Sequence, residues 1–569
     1  MKNWRGPSLP ISKEIHAMKY RLDNESFDEC IYRIAGALSD GRDHFRELSD
    51  ILMDMRFLPA GRVQAAIGSP RVTTAYNCFV SGIIEDSMDS IMGRAAEAAE
   101  TMRRGGGIGY DFSRLRPKGD RIKTLDSRAS GPISFMAIFD AVCQTIASAG
   151  HRRGAQMGVL RVDHPDIEEF IRAKHNSDKL TGFNISVGIT DHFMQCLEAG
   201  EKFPLKFDGK VYSYIDPRNL WDDIMRSTWD WAEPGVLFID QINRMNNLRY
   251  CETIEATNPC GEQPLPPYGA CLLGSFNMVK YVKNDNEGNR IFDRHQLIRD
   301  IYPVHRAMDN VIDRTIYPLN QQEREAKATR RMGIGVTGMA NALEACGFRY
   351  GSPEYLQQQS YILADLNTNL YLSSSWTAEE KGSFPLFDKE RYLESNFVQT
   401  LPDSVFRSIE EFGMRNSHLT SIAPTGTISL TADNVSSGIE PPYLLHYDRT
   451  IQTFDGPRVE RVEDYAYRDF AIEGVTADKV DAKAHVDVLC SAQRFVDSAV
   501  SKTCNVGDDV EFDEFKDLYI QGWKGGAKGL TTFRASGKRF GILNAPKEDE
   551  PKAEACTFDP STGIRTCEI

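Results

Sequence analysis

From about residue 56 to residue 540 the sequence alternates short apolar or β-branched runs with longer stretches of helical periodicity, and Gly and Pro punctuate the joins. The short runs include Phe79-Val80, Phe183-Asn184-Ile185-Ser186-Val187-Gly188-Ile189 and Leu530-Thr531-Thr532-Phe533, and the helical stretches include 88–103, 299–314 and 355–372. Alternation of this kind predicts an α/β fold, because strands that are apolar along their length need helices to cover them. No repeat and no clear internal linker interrupts the pattern, so residues 56–543 read as one large domain. Ahead of it, residues 1–55 read as helical. Phe27, Ile31, Ile34 and Leu38 fall on one face, and the otherwise polar segment reads as a packing appendage. Residues 544–555 are charged and contain proline, the composition of a flexible linker. They lead to Cys556 and Cys567, so 544–569 reads either as a mobile arm carrying two thiols or as a disordered tail with an incidental pair.

Composition narrows the function. The formal net charge of −14 is the wrong sign for a nucleic-acid binder, so any phosphate must be held by a local site. The twelve cysteines are scattered and form no C-x-x-C pair, which argues against structural zinc and against a disulfide-rich secreted domain. No metal site is expected. There is no apolar run of about 18 residues, and the N-terminus lacks the apolar core of a secretory signal. The expectation is a cytoplasmic protein that does not enter membranes.

One string concentrates chemistry: Asn258-Pro259-Cys260-Gly261-Glu262-Gln263-Pro264-Leu265. Asn, Cys and Glu alternate, and in an extended segment alternate residues point to one side. An amide, a thiol and a carboxylate would then converge on one small ligand. Pro259 and Gly261 suit an extended loop better than a helix. Taken alone, the string also reads as a polar turn around a buried cysteine.

The string resembles the finger loop of the ribonucleotide reductase family, and further segments match in the expected order across roughly residues 57–535. Tyr76-Asn77-Cys78-Phe79-Val80 resembles the segment carrying the first redox cysteine, and Ala270-Cys271-Leu272-Leu273-Gly274-Ser275-Phe276-Asn277 the segment carrying the second. Gly105-Gly106-Gly107-Ile108-Gly109 is similar to the glycine-rich strand entry beside the substrate. Ala423-Pro424-Thr425-Gly426-Thr427-Ile428-Ser429 resembles the phosphate-binding loop, and Ser437-Gly438-Ile439-Glu440-Pro441-Pro442 is another string of that family. The resemblance implies a ten-stranded α/β barrel with the finger loop at its centre.

It also implies roles. A thiyl radical on Cys260 would abstract the 3′-hydrogen of a ribonucleotide, activating the 2′-hydroxyl as a leaving group. Glu262 would act as general base toward the 3′-OH, and Asn258 would fix the ribose hydroxyls. Cys78 and Cys271 would supply two electrons by forming a disulfide. Asn77, Gly107, Pro424, Thr425, Gly426, Thr427 and Ile428 would bind substrate. Cys556 and Cys567 would re-reduce the disulfide and be reduced in turn by thioredoxin or glutaredoxin, although their spacing is wider than the family's usual terminal pair. Asp86 and Ser87, with Arg121 in the stretch 121–130 and Arg152 and Arg153 in the stretch 147–157, would bind a dNTP or ATP effector, expected at a homodimer interface. The two arginines also read as an ordinary basic turn. With only about 55 residues ahead of the barrel, the family's overall-activity domain is expected to be absent.

Three radical sources are known in the family. The glycyl-radical class needs a C-terminal glycine loop with a four-cysteine zinc site, and neither is legible here. The class with a separate metal-containing subunit carries adjacent tyrosines near the end of a C-terminal strand. This chain has no Tyr-Tyr dipeptide and reads Gly529-Leu530-Thr531-Thr532-Phe533-Arg534 there. The adenosylcobalamin class remains, and it does not require the D-x-H-x-x-G cobalamin motif that this sequence lacks. Diphosphate substrates are favoured over triphosphates. The alternatives are the same reaction driven by a partner metallosubunit, and an inactive nucleotide-binding regulator on the same scaffold. The intact Cys260, Glu262 and redox cysteines argue against the regulator.

Overall fold

A computed structural model describes residues 5–122, 126–146, 155–175, 179–453, 456–534, 536–538, 543–544, 557–559 and 564–566. The N-terminal segment forms three helices, α1 (Pro10–Tyr20), α2 (Phe27–Leu38) and α3 (Arg42–Met53). A capping box starts α2: Ser26 Oγ accepts from Glu29 N, and the Glu29 carboxylate accepts from Ser26 N. Phe27, Ile31, Ile34 and Leu38 form its buried face, as their spacing predicts.

Five strands follow: β1 (Cys78–Val80), β2 (Gly107–Asp111), β3 (Gln156–Arg161), β4 (Phe183–Ile189) and β5 (Gly235–Phe238). Each pairs in parallel with the next. Helix α4 (Met88–Arg103) makes the crossover from β1 to β2. The second half repeats the scheme in the opposite direction. Here β6 comprises Ala270–Cys271 and Leu273–Asn277, and β7 is Gly333–Thr337. The stave β8 is a short extended stretch at 420–422; β9 is Thr503–Val506 with its lead-in from residue 500, and β10 is Gly529–Arg534. Parallel ladders join β6 to β7 and β9 to β10. Two single parallel bridges, Ile334 to Thr420 and Ile422 to Val500, carry the pairing through β8.

Two antiparallel seams, β5 with β10 and β6 with β1, join the halves. Pairing therefore runs around a closed ring of ten staves among the described residues, the α/β barrel expected from sequence. Among the described residues, closure leaves the barrel itself without an open edge.

The helical stretches expected at 299–314 and 355–372 lie within the longer helices α5 (Arg294–Arg314) and α6 (Pro353–Lys381), which pack against each other. Their starts are set by side-chain caps that periodicity does not reveal: Asp293 accepts from Gln296 N and Ser352 from Tyr355 N. After β8 comes a six-residue helix, α7 (Gly426–Thr431). Beside it a long hairpin pairs His446–Thr453 with Gly456–Glu463, and Leu543–Asn544 adds to its first strand. In the C-terminal tail, Thr557–Asp559 pairs with Ile564–Thr566.

Candidate active site

Between β5 and β6 the chain makes a narrow hairpin whose arms, Ala256–Thr257 and Pro264–Leu265, pair antiparallel. Its tip is a turn rather than the extended run assumed above. Asn258 N donates to Gln263 O at 3.1 Å, Gly261 N to Asn258 O at 3.1 Å, and Gln263 N to Asn258 Oδ1 at 3.0 Å. Gly261 has φ +80°, a backbone state that favours glycine, and it lets the turn close. Alternation therefore does not place the three side chains. Asn258 and Glu262 are buried at the base of the turn, while Cys260 stands exposed at its tip.

The hairpin is held from opposite sides of the ring. Asn184 Nδ2, on β4, donates to Pro259 O at 2.9 Å. Across the barrel, Ala499 N and Ser421 Oγ donate to Glu262 O at 3.0 and 2.8 Å. On β2, a Cβ at Gly109 would collide with the carbonyl of Thr257, so glycine is what lets the finger lie against this strand. A Cβ at Gly107 would sit 3.1 Å from both Cys78 Sγ and Pro259 Cγ, so that spot lies between the redox cysteine and the finger. The finger loop thus threads the barrel.

Cys78 and Cys271 are register partners across the β1–β6 seam. Directly opposed residues have Cβ atoms about 4.5–5.5 Å apart, so a small adjustment reaches the spacing of a disulfide. Cys271 is fully buried. Burial pushes its thiol well above the usual range, and the neighbouring Glu262, Cys78 and Cys260 push the same way. Those four groups therefore share one electrostatic neighbourhood, and Asn258 Nδ2 lies 4.0 Å from Cys271 Sγ. The backbone of Asn77 links both strands, donating to Cys271 O at 3.2 Å and accepting from Gly107 N at 3.0 Å. Its side-chain Oδ1 is buried and bonds to none of the described residues. The fold has brought together Asn77, Cys78, Gly107, Asn258, Cys260, Glu262 and Cys271.

The segment 424–428 leads from β8 into the first turn of α7. Thr425 is buried, and its Oγ1 bonds to Thr337 Oγ1 and to Gly438 N, both at 2.8 Å. Pro424 is exposed, Gly426 and Thr427 are half-buried, and Ile428 is buried. Arg449, on the adjacent hairpin, donates to Gly426 O at 3.1 Å. The sequence reading missed Arg449, and it missed Asn184, Ser421 and Ala499 as supports of the finger. The one signal was Asn184, a polar residue within the largely apolar run 183–189.

The effector candidates are less gathered. Asp86 pairs with Arg116 at 2.5 Å, and Ser87 caps α4 through Ser90 N. Arg121 lies on the hairpin Arg121–Ile122/Ser127–Arg128 and pairs with Asp126 at 2.9 Å. None of these contacts joins Arg121 to Asp86 or Ser87. Arg152, Arg153, Cys556 and Cys567 lie outside the described residues. On β10, Thr532 Oγ1 bonds to the Tyr519 hydroxyl at 3.0 Å, and Thr531 is exposed. Among the described residues no His, Cys, Asp and Glu cluster has metal-site geometry, and no helix is long and apolar enough to cross a membrane.

A closed ten-stave barrel threaded by a thiol-tipped hairpin, with two cysteines opposed across one seam, defines a class. The family model for the ribonucleotide reductase barrel domain matches residues 76–475 and 473–533, and the chain belongs to the ribonucleotide reductase family. Within that family it is similar to the vitamin B12-dependent ribonucleoside-diphosphate reductase of Mycobacterium tuberculosis (strain CDC 1551 / Oshkosh), at 33% identity over 96% of this chain and 81% of the relative. The protein of the same name from Thermoplasma acidophilum is 34% identical over 93% of this chain and 70% of the relative.

Proposed function

We propose that this chain reduces ribonucleoside diphosphates to 2′-deoxyribonucleotides for DNA synthesis, by a thiyl radical on Cys260 formed with adenosylcobalamin. The observation that carries the reading is the finger tip, which brings one exposed thiol to the site shared by Glu262 and the opposed Cys78 and Cys271. The finger tip is open for such a cofactor to approach, since Cys260 is exposed and a Cβ at Gly261 would meet no described atom within 4 Å. Bound adenosylcobalamin supplies a radical by homolysis of its cobalt–carbon bond.

The Cys260 thiyl takes the 3′-hydrogen, leaving a radical on C3′. Glu262 accepts the 3′-OH proton while the 2′-hydroxyl, protonated, leaves as water. Cys78 and Cys271 join as a disulfide, their two electrons and two protons serving to protonate the departing hydroxyl and to place a hydrogen on C2′, while Glu262 returns its proton to the 3′-oxygen and Cys260 returns its hydrogen to C3′. The sum is ribonucleotide plus two thiols giving deoxyribonucleotide, water and a disulfide. Asn258 and Asn77 hold the sugar, Gly107 leaves room for it, and the 424–428 loop takes the phosphates. Cys556 and Cys567 then exchange thiols with the Cys78–Cys271 disulfide and are reduced by a thioredoxin-type protein.

A dNTP or ATP effector would bind at Asp86, Ser87, Arg121, Arg152 and Arg153, at a homodimer interface. The dimer is supported by Met88, Met92 and Ala96, which form an exposed apolar stripe along α4, the helix that Ser87 caps. Radical delivery from a separate metallosubunit is disfavoured by the threonines on β10, whose side chains cannot relay an oxidising equivalent.

The deciding experiment is an assay of the purified chain with a ribonucleoside diphosphate, dithiothreitol and adenosylcobalamin. Deoxynucleotide should form without a second subunit, and Cys260→Ser should abolish it. Turnover by Cys260→Ser, or none by the native chain, would sink the proposal.

A further inference from the structure

The short helix α7 is too brief to be stable by itself. Its last carbonyls have no partner within the helix and need one from outside. One of them, Leu430 O, accepts a 2.7 Å hydrogen bond from Ser12 Oγ on α1, and both groups are buried. Just past α7 the chain turns through Asp433 and Asn434, at φ +61° and +60°. Two successive left-handed non-glycine residues persist only where the surroundings hold them. The two residues just ahead of α1 do so. Ser8 N, Ser8 Oγ and Leu9 N all donate to the buried Asp433 carboxylate at 2.8–3.0 Å. Ile15 packs with Leu430, Tyr447 and Val462 in a small apolar cluster separate from the main core.

The opposite end of α7 opens with Gly426 and Thr427, directly after Thr425. We infer that residues 8–15 are a brace that sets the conformation of the phosphate loop, so that Ser12 and Asp433 are positioning residues for substrate binding. This rests on the reading of 424–428 as the phosphate site. The N-terminal segment then does more than cover the barrel, because it fixes from behind a loop that meets the ligand from the front.

The test uses Ser12→Ala, Asp433→Asn and Thr427→Ala in the full chain, assayed with cytidine 5′-diphosphate and adenosylcobalamin. A buried hydrogen bond is worth about 1 kcal/mol, or roughly a fivefold change in an equilibrium. Ser12→Ala and Asp433→Asn should each raise KM roughly three- to tenfold with kcat at saturation within about twofold, and because both act on one loop their effects should not multiply. Thr427→Ala, which touches the ligand directly, should raise KM as well. Unchanged KM in Thr427→Ala would overturn the phosphate-loop reading, and the brace with it. Raised KM in Thr427→Ala with unchanged KM in the other two would overturn the brace alone. A fall in kcat at constant KM would mark general damage and overturn it too, and melting curves confirm that each variant is folded.

Discussion

Cys271 shows how position decides the chemistry of a thiol. Its burial keeps it protonated, so it does not act as an idle nucleophile, and its register opposite Cys78 makes it a redox partner. A disulfide needs both sulfurs. Cys78→Ser and Cys271→Ser should therefore be equally inactive, each forming deoxynucleotide at less than about a hundredth of the native rate. Addition of cofactor and one equivalent of substrate to the native protein, without external reductant, should consume two protein thiols. Counting thiols with a chromogenic reagent after such a single turnover checks this, and loss of two thiols in either variant would refute the pairing.

At the scale of elements, the finger and the strand it lies against form one unit. Gly109→Ala on β2 would drive a methyl group into the carbonyl of Thr257, so the finger must shift. A misplacement of about 1 Å in a reacting group can cost on the order of a hundredfold in rate. The expected outcome is a kcat reduced about a hundredfold with a smaller loss of stability, measured by steady-state kinetics alongside a thermal melt. The strands β1, β4 and β10 and the helices α4, α5 and α6 were legible because each carries its own periodicity. The turn of the finger was not. Asn258-Pro259-Cys260 reads equally well as an extended strand, and only the bonds from Asn258 to Gln263 and Gly261 decide the matter. The stave at 420–422 was equally hidden, because it joins its neighbours through single bridges and has no strand-length apolar run. Chemical identity was more legible than geometry. The residue types at 77–78, 258–262 and 271 marked the site, but their supports at Asn184, Ser421 and Ala499 make contacts that appear only when distant staves meet.

Over the whole molecule, a large core lets single carboxylates be buried at some cost. Glu344 accepts backbone hydrogen bonds from Val475 and Tyr350, yet burial pushes its carboxyl up to about 7. The folded protein then holds a proton that the unfolded chain has released above its ordinary range. This contribution to stability is fully present below about pH 4 and is lost as pH rises through about 7. The part of native stability that Glu344 governs should therefore decline between about pH 5 and 8, by an amount on the order of 2 kcal/mol. Glu344→Gln should flatten that slope. Urea unfolding at several pH values measures both, and an unchanged slope in the variant would refute the assignment.

The β1–β6 seam has a consequence of its own. Among the described residues it is one of the two strand seams that join the halves of the barrel, and Cys78 and Cys271 face each other across it. Each catalytic cycle would therefore fasten a clasp between the two halves and then unfasten it. In the chain-entropy account, a link closing a loop of nearly two hundred residues is worth about 5 kcal/mol. The oxidised protein would be the form that resists unfolding more, and the reductant that restores activity would also remove that extra resistance.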